Sequence, residues 1–73
     1  MSNKLPLVSG KVVIKALQKI GYYVRKQKGS HIRLYHNSRL PVTVPNHKEI
    51  DRRTLKSILQ TANISAEEFK DLL

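Results

Sequence analysis

Three histidines, His31, His36 and His47, are the side chains of this 73-residue sequence whose ordinary pKa lies near neutral pH. His31 follows a glycine and a serine and lies between basic residues, which suits it to acid–base chemistry on a phosphodiester. RNA carries its own nucleophile, the 2′-hydroxyl, so its cleavage requires a proton acceptor or donor and cations that stabilise the charged phosphorane. His31 is therefore the candidate catalytic residue, although a histidine on an exposed strand is also compatible with a plain surface role.

The other two histidines favour different interpretations. His36 stands at the end of a predicted strand beside a turn, which favours a structural role. His47 belongs to a predicted loop before a helix, where it would contact phosphate or orient the loop.

Several other chemistries are excluded by residue type and spacing. The sequence has no cysteine, which removes disulfides, thiolate catalysis and cysteine zinc sites. Its three glycines are isolated, so no glycine-rich phosphate loop exists, and the histidine spacing matches no recognisable zinc motif. All five acidic residues follow Lys48, which leaves no carboxylate cluster for magnesium and no acid close to a candidate serine nucleophile. We expect neither a metal nor a cofactor.

Net charge is the most informative bulk property. The chain carries 14 Lys and Arg against 5 Asp and Glu, a formal charge of +9, and its first 48 residues contain bases but no acid. Such an asymmetric basic excess is typical of proteins that bind polyanions. The cations that we expect to contact RNA phosphates include a helix stripe and a cluster before the Gly-Ser-His sequence, namely Lys11, Lys15, Arg25, Lys26 and Lys28.

The hydrophobic periodicity predicts the order α-β-β-β-α-α. Ser9 is a predicted N-cap for a first helix whose apolar face recurs at helical spacing. Asp51 and Ser65 are predicted N-caps of two later helices, and Ser65 with Glu68 forms a capping box. Asn63 is predicted to end the second of the three helices in the left-handed conformation.

Three strands are predicted between these helices, at about residues 22–27, 30–36 and 40–44. The short turns between them imply an antiparallel sheet with the helices on one face, an α+β fold. Alternation in the second strand turns Ile32 and Leu34 towards the helices, and therefore His31, Arg33 and Tyr35 towards the opposite face. Gly29 is predicted to have a positive φ in the first turn, and Pro41 predicts an edge position for the third strand.

The length is consistent with one domain over residues 1–73. No segment has the roughly 18–20 apolar residues that cross a bilayer, and the N-terminus lacks the apolar core of a signal peptide. We therefore expect a cytoplasmic protein that does not associate with membranes.

The chain also resembles the HicA family of type II toxins over roughly residues 7–73. The matching segments are Ser-Gly-Lys at 9–11, the sequence at 17–22, the basic run that ends in Gly29-Ser30-His31, Val-Thr-Val-Pro-Asn-His at 42–47, and the two C-terminal segments at 54–59 and 64–69. Each segment occurs in the order and spacing of the family, and together they are far more specific than Gly-Ser-His alone.

The resemblance implies a fold like that of double-stranded-RNA-binding domains and a ribosome-independent mRNA interferase activity. It also implies neutralisation by a HicB-type antitoxin that covers the active site. The family's catalytic histidine corresponds to His31. In the resulting hypothesis Lys28 and Arg33 bind the phosphate, Ser30 hydrogen-bonds the backbone or His31, Gly29 lets the turn approach RNA closely, and His47 is a further RNA contact.

Two alternatives remain open. One is an RNA-binding module without catalysis, since related folds bind duplex RNA by shape. The other is a small DNA-binding or regulatory protein, which would show no preference for ribose.

Overall fold

The computed structural model describes residues 5–73, and its elements follow the order expected from the sequence. In chain order they are α1 (Gly10–Gln18), β1 (Tyr23–Lys28), β2 (His31–Tyr35), β3 (Val42–Pro45), α2 (Arg52–Ala62) and α3 (Ala66–Leu72). The α+β class and the α-β-β-β-α-α arrangement are thereby confirmed.

The three strands form an antiparallel sheet in the order β1-β2-β3. Their apolar side chains on one face, Ile32, Leu34, Val42 and Val44, are buried. Helices α1 and α2 both pack against β3 on this side. His31, Arg33 and Tyr35 alternate with the buried residues of β2 and are exposed. We call the side of the sheet that bears them the open face.

The core is formed by apolar side chains from all three helices and from β2 and β3. Leu17, Leu34, Leu55 and Phe69 are fully buried. Burying a side chain of this size contributes about 1.5–3 kcal/mol relative to leaving it in water. The helices cover this side of the sheet, and the alternate residues of β2 on the open face remain exposed.

The helix ends follow the sequence signals. Ser9 and Asp51 accept hydrogen bonds from backbone N–H groups of the first turns of α1 and α2, and Ser65 forms the predicted capping box with Glu68. Asn63 ends α2 with φ 60°, in the left-handed region. These predictions are confirmed.

The first strand differs from its prediction in two ways. It begins one residue later, because Tyr22 is buried and its hydroxyl donates a 2.8 Å hydrogen bond to the Leu40 carbonyl oxygen. It also ends one residue later, at Lys28. All six of its residues are exposed, since the helices pack on β3 at the other edge of the sheet. Among residues 5–73, no helix combines the length and apolarity that crossing a membrane requires.

Candidate active site

The β1–β2 hairpin positions His31. Lys28 and His31 are opposite each other in the ladder, so Gly29 and Ser30 form a two-residue loop. Gly29 has φ 59° and Ser30 is not among the residues with positive φ, a combination that matches a type II′ turn. Because such a turn fixes the register of the hairpin, His31 is held at the first position of β2, with its side chain on the open face.

A shallow groove of about 330 Å³ runs along the open face. Its lining comes from all three strands and consists of Lys26, Lys28, His31, Arg33, Tyr35 and Thr43. Four of these residues were predicted for the site from the sequence, three of them cations and one the candidate catalytic histidine. The groove thus brings an imidazole together with fixed positive charge, on a surface open to solvent.

Arg33 occupies the middle of this groove. In the register of the sheet it lies between Lys26 on β1 and Thr43 on β3. Its Nη1 donates a 2.9 Å hydrogen bond to Thr43 Oγ1. Thr43 was not predicted for the site, although it stands between the apolar residues Val42 and Val44, which are buried, so that strand alternation turns it outward.

Arg25 lies farther along the open face, beyond the groove lining. Its guanidinium carbon is 5.8 Å from the centroid of the Tyr35 ring, and that of Arg33 is also 5.8 Å from it. Both distances are within the range of cation–π contacts.

The hairpin turn also contacts the loop that contains His47. The backbone N–H of Asn46 donates to the Ser30 carbonyl oxygen at 2.6 Å, and that of Gly10 donates to the His47 carbonyl oxygen at 2.9 Å. A Cβ atom at Gly10 would collide with the Pro45 carbonyl oxygen, so only glycine permits this approach of α1. Ser30, the exposed His47 and the start of α1 therefore share one corner of the molecule.

The lysines of α1 are less closely associated with the groove. Lys11 directly follows Gly10 at this corner, and Lys15 lies one turn farther along the helix; both are exposed. Neither belongs to the groove lining.

Two other cations stabilise helix ends. Arg39 Nη1 donates to the carbonyl oxygens of Ala62 and Asn63, at the C-terminal end of α2, with distances of 2.7 and 3.2 Å. Lys19 Nζ donates to the Leu72 carbonyl oxygen of α3 at 2.6 Å. Carbonyl groups at the C-terminal ends of helices have no partner within the helix. Because Arg39 and Lys19 donate to such groups, both side chains stabilise the fold.

His36 is also structural. Its Nε2 atom lies 2.8 Å from the Ile20 carbonyl oxygen and its Nδ1 accepts a 3.0 Å hydrogen bond from the Ser38 backbone N–H. Its ring packs edge-on against Tyr22, with centroids 4.8 Å apart. With both nitrogens engaged, His36 joins the end of α1 to the β2–β3 loop.

Other parts of the surface offer less chemistry. Three larger concavities, of about 350, 440 and 520 Å³, lie beside α2; the described residues that line them include no histidine and a single carboxylate, Glu68 in the smallest of the three. Within residues 5–73, no group of three or more His, Cys, Asp or Glu side chains is placed to hold a metal ion.

A family model described as "HicA toxin of bacterial toxin-antitoxin" matches residues 10–64. The matched range is more than half of the chain and contains every residue that we predicted for the site. A comparison with curated proteins gives no significant match.

Proposed function

Because the chain belongs to the HicA family of bacterial toxin–antitoxin toxins, we propose that it is a ribosome-independent mRNA interferase. In this proposal the toxin acts in the cytoplasm, cleaves RNA without a metal ion, and is neutralised by a HicB-type antitoxin. His31 is the catalytic residue.

The observation that carries the proposal is the position of His31 in a groove whose charged lining residues, within the described range 5–73, are Lys26, Lys28 and Arg33. An RNA phosphate in this groove would meet three cations and one imidazole. All carboxylates of the chain lie from residue 49 onward, so none in the sheet competes with the phosphate for these cations.

The proposed reaction uses the 2′-hydroxyl of the substrate as its nucleophile. The 2′-oxygen forms a bond to phosphorus while the bond between phosphorus and the 5′-oxygen breaks. His31 accepts the 2′-hydroxyl proton or donates one to the departing 5′-oxygen. Lys28, which is opposite His31, and Arg33 stabilise the extra negative charge of the phosphorane. Lys26 and Arg25 extend the positive surface, and Lys11, Lys15, Gly29, Ser30 and His47 contribute contacts at the corner.

The decisive experiment compares purified wild type with His31→Ala and His31→Gln. Glutamine retains hydrogen-bonding capacity and similar size but cannot titrate near neutral pH. Both variants should lose cleavage of single-stranded RNA while keeping the wild-type melting temperature, because His31 is exposed. Cleavage by a folded His31 variant at the wild-type rate would contradict the assignment.

Substrate and metal controls sharpen this test. An oligonucleotide with deoxyribose at every position should remain intact, because it lacks the nucleophile. Activity should persist in excess chelator. Ribose-independent cleavage would contradict the mechanism, and loss of activity in chelator would contradict its metal independence.

Partnership with an antitoxin is tested in cells. Induced wild type should arrest growth and deplete mRNA, His31→Gln should do neither, and co-expression of a HicB-type antitoxin should restore growth. We expect the antitoxin to cover the open face with acidic side chains, because the exposed charge there is positive. Normal growth after verified expression of wild type would contradict the toxin activity, and growth arrest that persists with the antitoxin present would contradict the pairing.

A further inference from the structure

The Tyr35 side chain lies at the end of β2 that is distant from the hairpin turn. It lines the groove and 38% of its surface is exposed. Tyr22, in contrast, is 3% exposed and donates a hydrogen bond into the fold. Tyr35 therefore presents an aromatic ring to solvent on the same face as His31.

Two arginines flank this ring. The guanidinium carbons of Arg25 and Arg33 each lie 5.8 Å from its centroid. Arg33 is further held by its hydrogen bond to Thr43. Cations close to an exposed ring attract the phosphates on either side of any base that stacks there.

A β-bulge explains how Arg25 reaches the ring. Val24 lies opposite Leu34 and Lys26 lies opposite Arg33, so Arg25 is an extra residue in β1. In a regular strand Arg25 and Lys26 would point to opposite faces. Here Lys26 lines the groove while Arg25 contacts the Tyr35 ring, so both side chains lie on the open face. Bulges commonly redirect side chains in this manner beside functional sites.

We propose that Tyr35, flanked by Arg25 and Arg33, is a stacking subsite for an unpaired nucleobase of the RNA. The inference rests on the proposed function, because it assumes that RNA occupies the groove. Tyr35 lies four positions after His31 in an extended strand, roughly 13 Å away at about 3.3 Å per residue. The stacked base therefore belongs to a nucleotide that does not flank the cleaved phosphodiester bond.

This subsite defines a substrate class. A base in a duplex is covered by its stacked neighbours, whereas a base in a single strand or loop is free to lie on an aromatic side chain. Stacking on tyrosine tolerates all four bases, because each has a π-face. We therefore infer that the protein binds single-stranded RNA more tightly than duplex RNA, with little preference for sequence at this position.

Binding to uncleavable RNA separates this subsite from catalysis. The probes are a short single-stranded 2′-O-methyl oligonucleotide and an all-abasic oligonucleotide of the same length, which carries the same phosphates. Wild type should bind the base-bearing probe roughly tenfold more tightly, which corresponds to about 1.4 kcal/mol. Tyr35→Leu should abolish most of this preference, and Tyr35→Phe should retain it.

The role of Arg25 is tested by the salt dependence of the binding affinity. Arg25→Ala should weaken binding to both probes and reduce the slope of log affinity against log salt by about one. Lys70→Ala, which removes the same charge from α3, is the matched control and should leave the slope nearly unchanged. Equal slopes for wild type and Arg25→Ala would contradict the role of Arg25.

A fluorescent variant gives a readout of the ring itself. The sequence contains no tryptophan, so Tyr35→Trp introduces a single one that still offers a stacking surface. Its emission should be quenched by the base-bearing oligonucleotide and much less by the abasic one. Equal quenching by the two, or an undiminished preference for bases in folded Tyr35→Leu, would overturn the subsite. Failure of wild type to cleave RNA would overturn the proposed activity and leave these binding results intact.

Discussion

Arg33 on β2 and Thr43 on β3 are joined by a 2.9 Å hydrogen bond across the open face. The two residues are direct neighbours in the ladder, so their backbones are held in register as well. This bond fixes the orientation of a guanidinium group in the middle of the groove. A cation that is oriented before the substrate arrives loses less side-chain entropy when it binds phosphate.

Replacing Thr43 by valine should therefore slow RNA cleavage without unfolding the protein. The side chain keeps its shape but no longer accepts the hydrogen bond, which is worth about 0.5–1.5 kcal/mol and predicts a roughly two- to twelvefold lower kcat/KM. Thr43→Ser, which retains the hydroxyl, is the matched control. Wild-type kinetics for Thr43→Val would show that Arg33 needs no support from β3.

Replacing Gly29 by alanine should destabilise the β1–β2 hairpin. A Cβ atom there would meet no atom within 4 Å, so the cost comes from the φ of 59° alone. For alanine this cost is about 1–2 kcal/mol, and Gly29→Asn should carry a similar cost, because the first central position of a type II′ turn favours glycine. Urea unfolding measures both variants, and an alanine variant as stable as wild type would contradict the turn geometry.

Replacing His36 by alanine should lower stability rather than chemistry. The change leaves the Ile20 carbonyl and the Ser38 N–H without their present partners, at a cost of roughly 1–3 kcal/mol. Cleavage measured well below the melting temperature should be close to wild type. His31→Ala is the complementary control, because it should remove activity and preserve the melting temperature. The reverse pattern would exchange the roles of the two histidines.

The N-cap of α2 should make stability depend on acid pH. The backbone N–H of Thr54, and then its hydroxyl, donate to Asp51 and hold the pKa of its carboxyl below the ordinary value of 3.8. The folded state then binds fewer protons than the unfolded state, so this contribution is complete above pH 3.8. It is lost as pH falls through the lowered pKa of the folded state.

Thermal unfolding of wild type, Asp51→Asn and Asp51→Ala at a series of pH values checks this prediction. At neutral pH Asp51→Ala should melt at the lowest temperature, and its deficit relative to wild type should shrink in acid. Asparagine also caps helices but does not titrate. The melting temperature of Asp51→Asn should therefore show no change with pH that comes from this position. A deficit of Asp51→Ala that stays constant down to the acid limit would contradict the linkage.

Much of the site's framework was predictable because its determinants are local. The period of two in β2 buries Ile32 and Leu34 and thereby exposes His31 and Arg33. Likewise, the predicted positive φ of Gly29 is confirmed at the turn that precedes His31.

Other features depend on pairings between distant segments. The bulge at Arg25 follows from the alignment of β1 with β2, and no periodicity in the sequence of β1 alone predicts it. The partnership of Arg33 with Thr43 requires the register of β2 against β3, which the β2–β3 connection does not specify. The contact between Gly10 and the Pro45 carbonyl joins residues that are far apart in the chain, and only the folded backbone reveals why glycine is needed there.

The separation of charges has a consequence for how the molecule moves in solution. The sheet surface bears cations, whereas every carboxylate side chain lies in the α2 N-cap region or in α3. Arg39 and Lys19 are hydrogen-bonded to carbonyl groups at helix ends. The molecule is therefore an electric dipole as well as a cation. In the field of a polyanion such a dipole experiences a torque that turns its positive side forward during diffusion, so productive encounters become more frequent at low ionic strength.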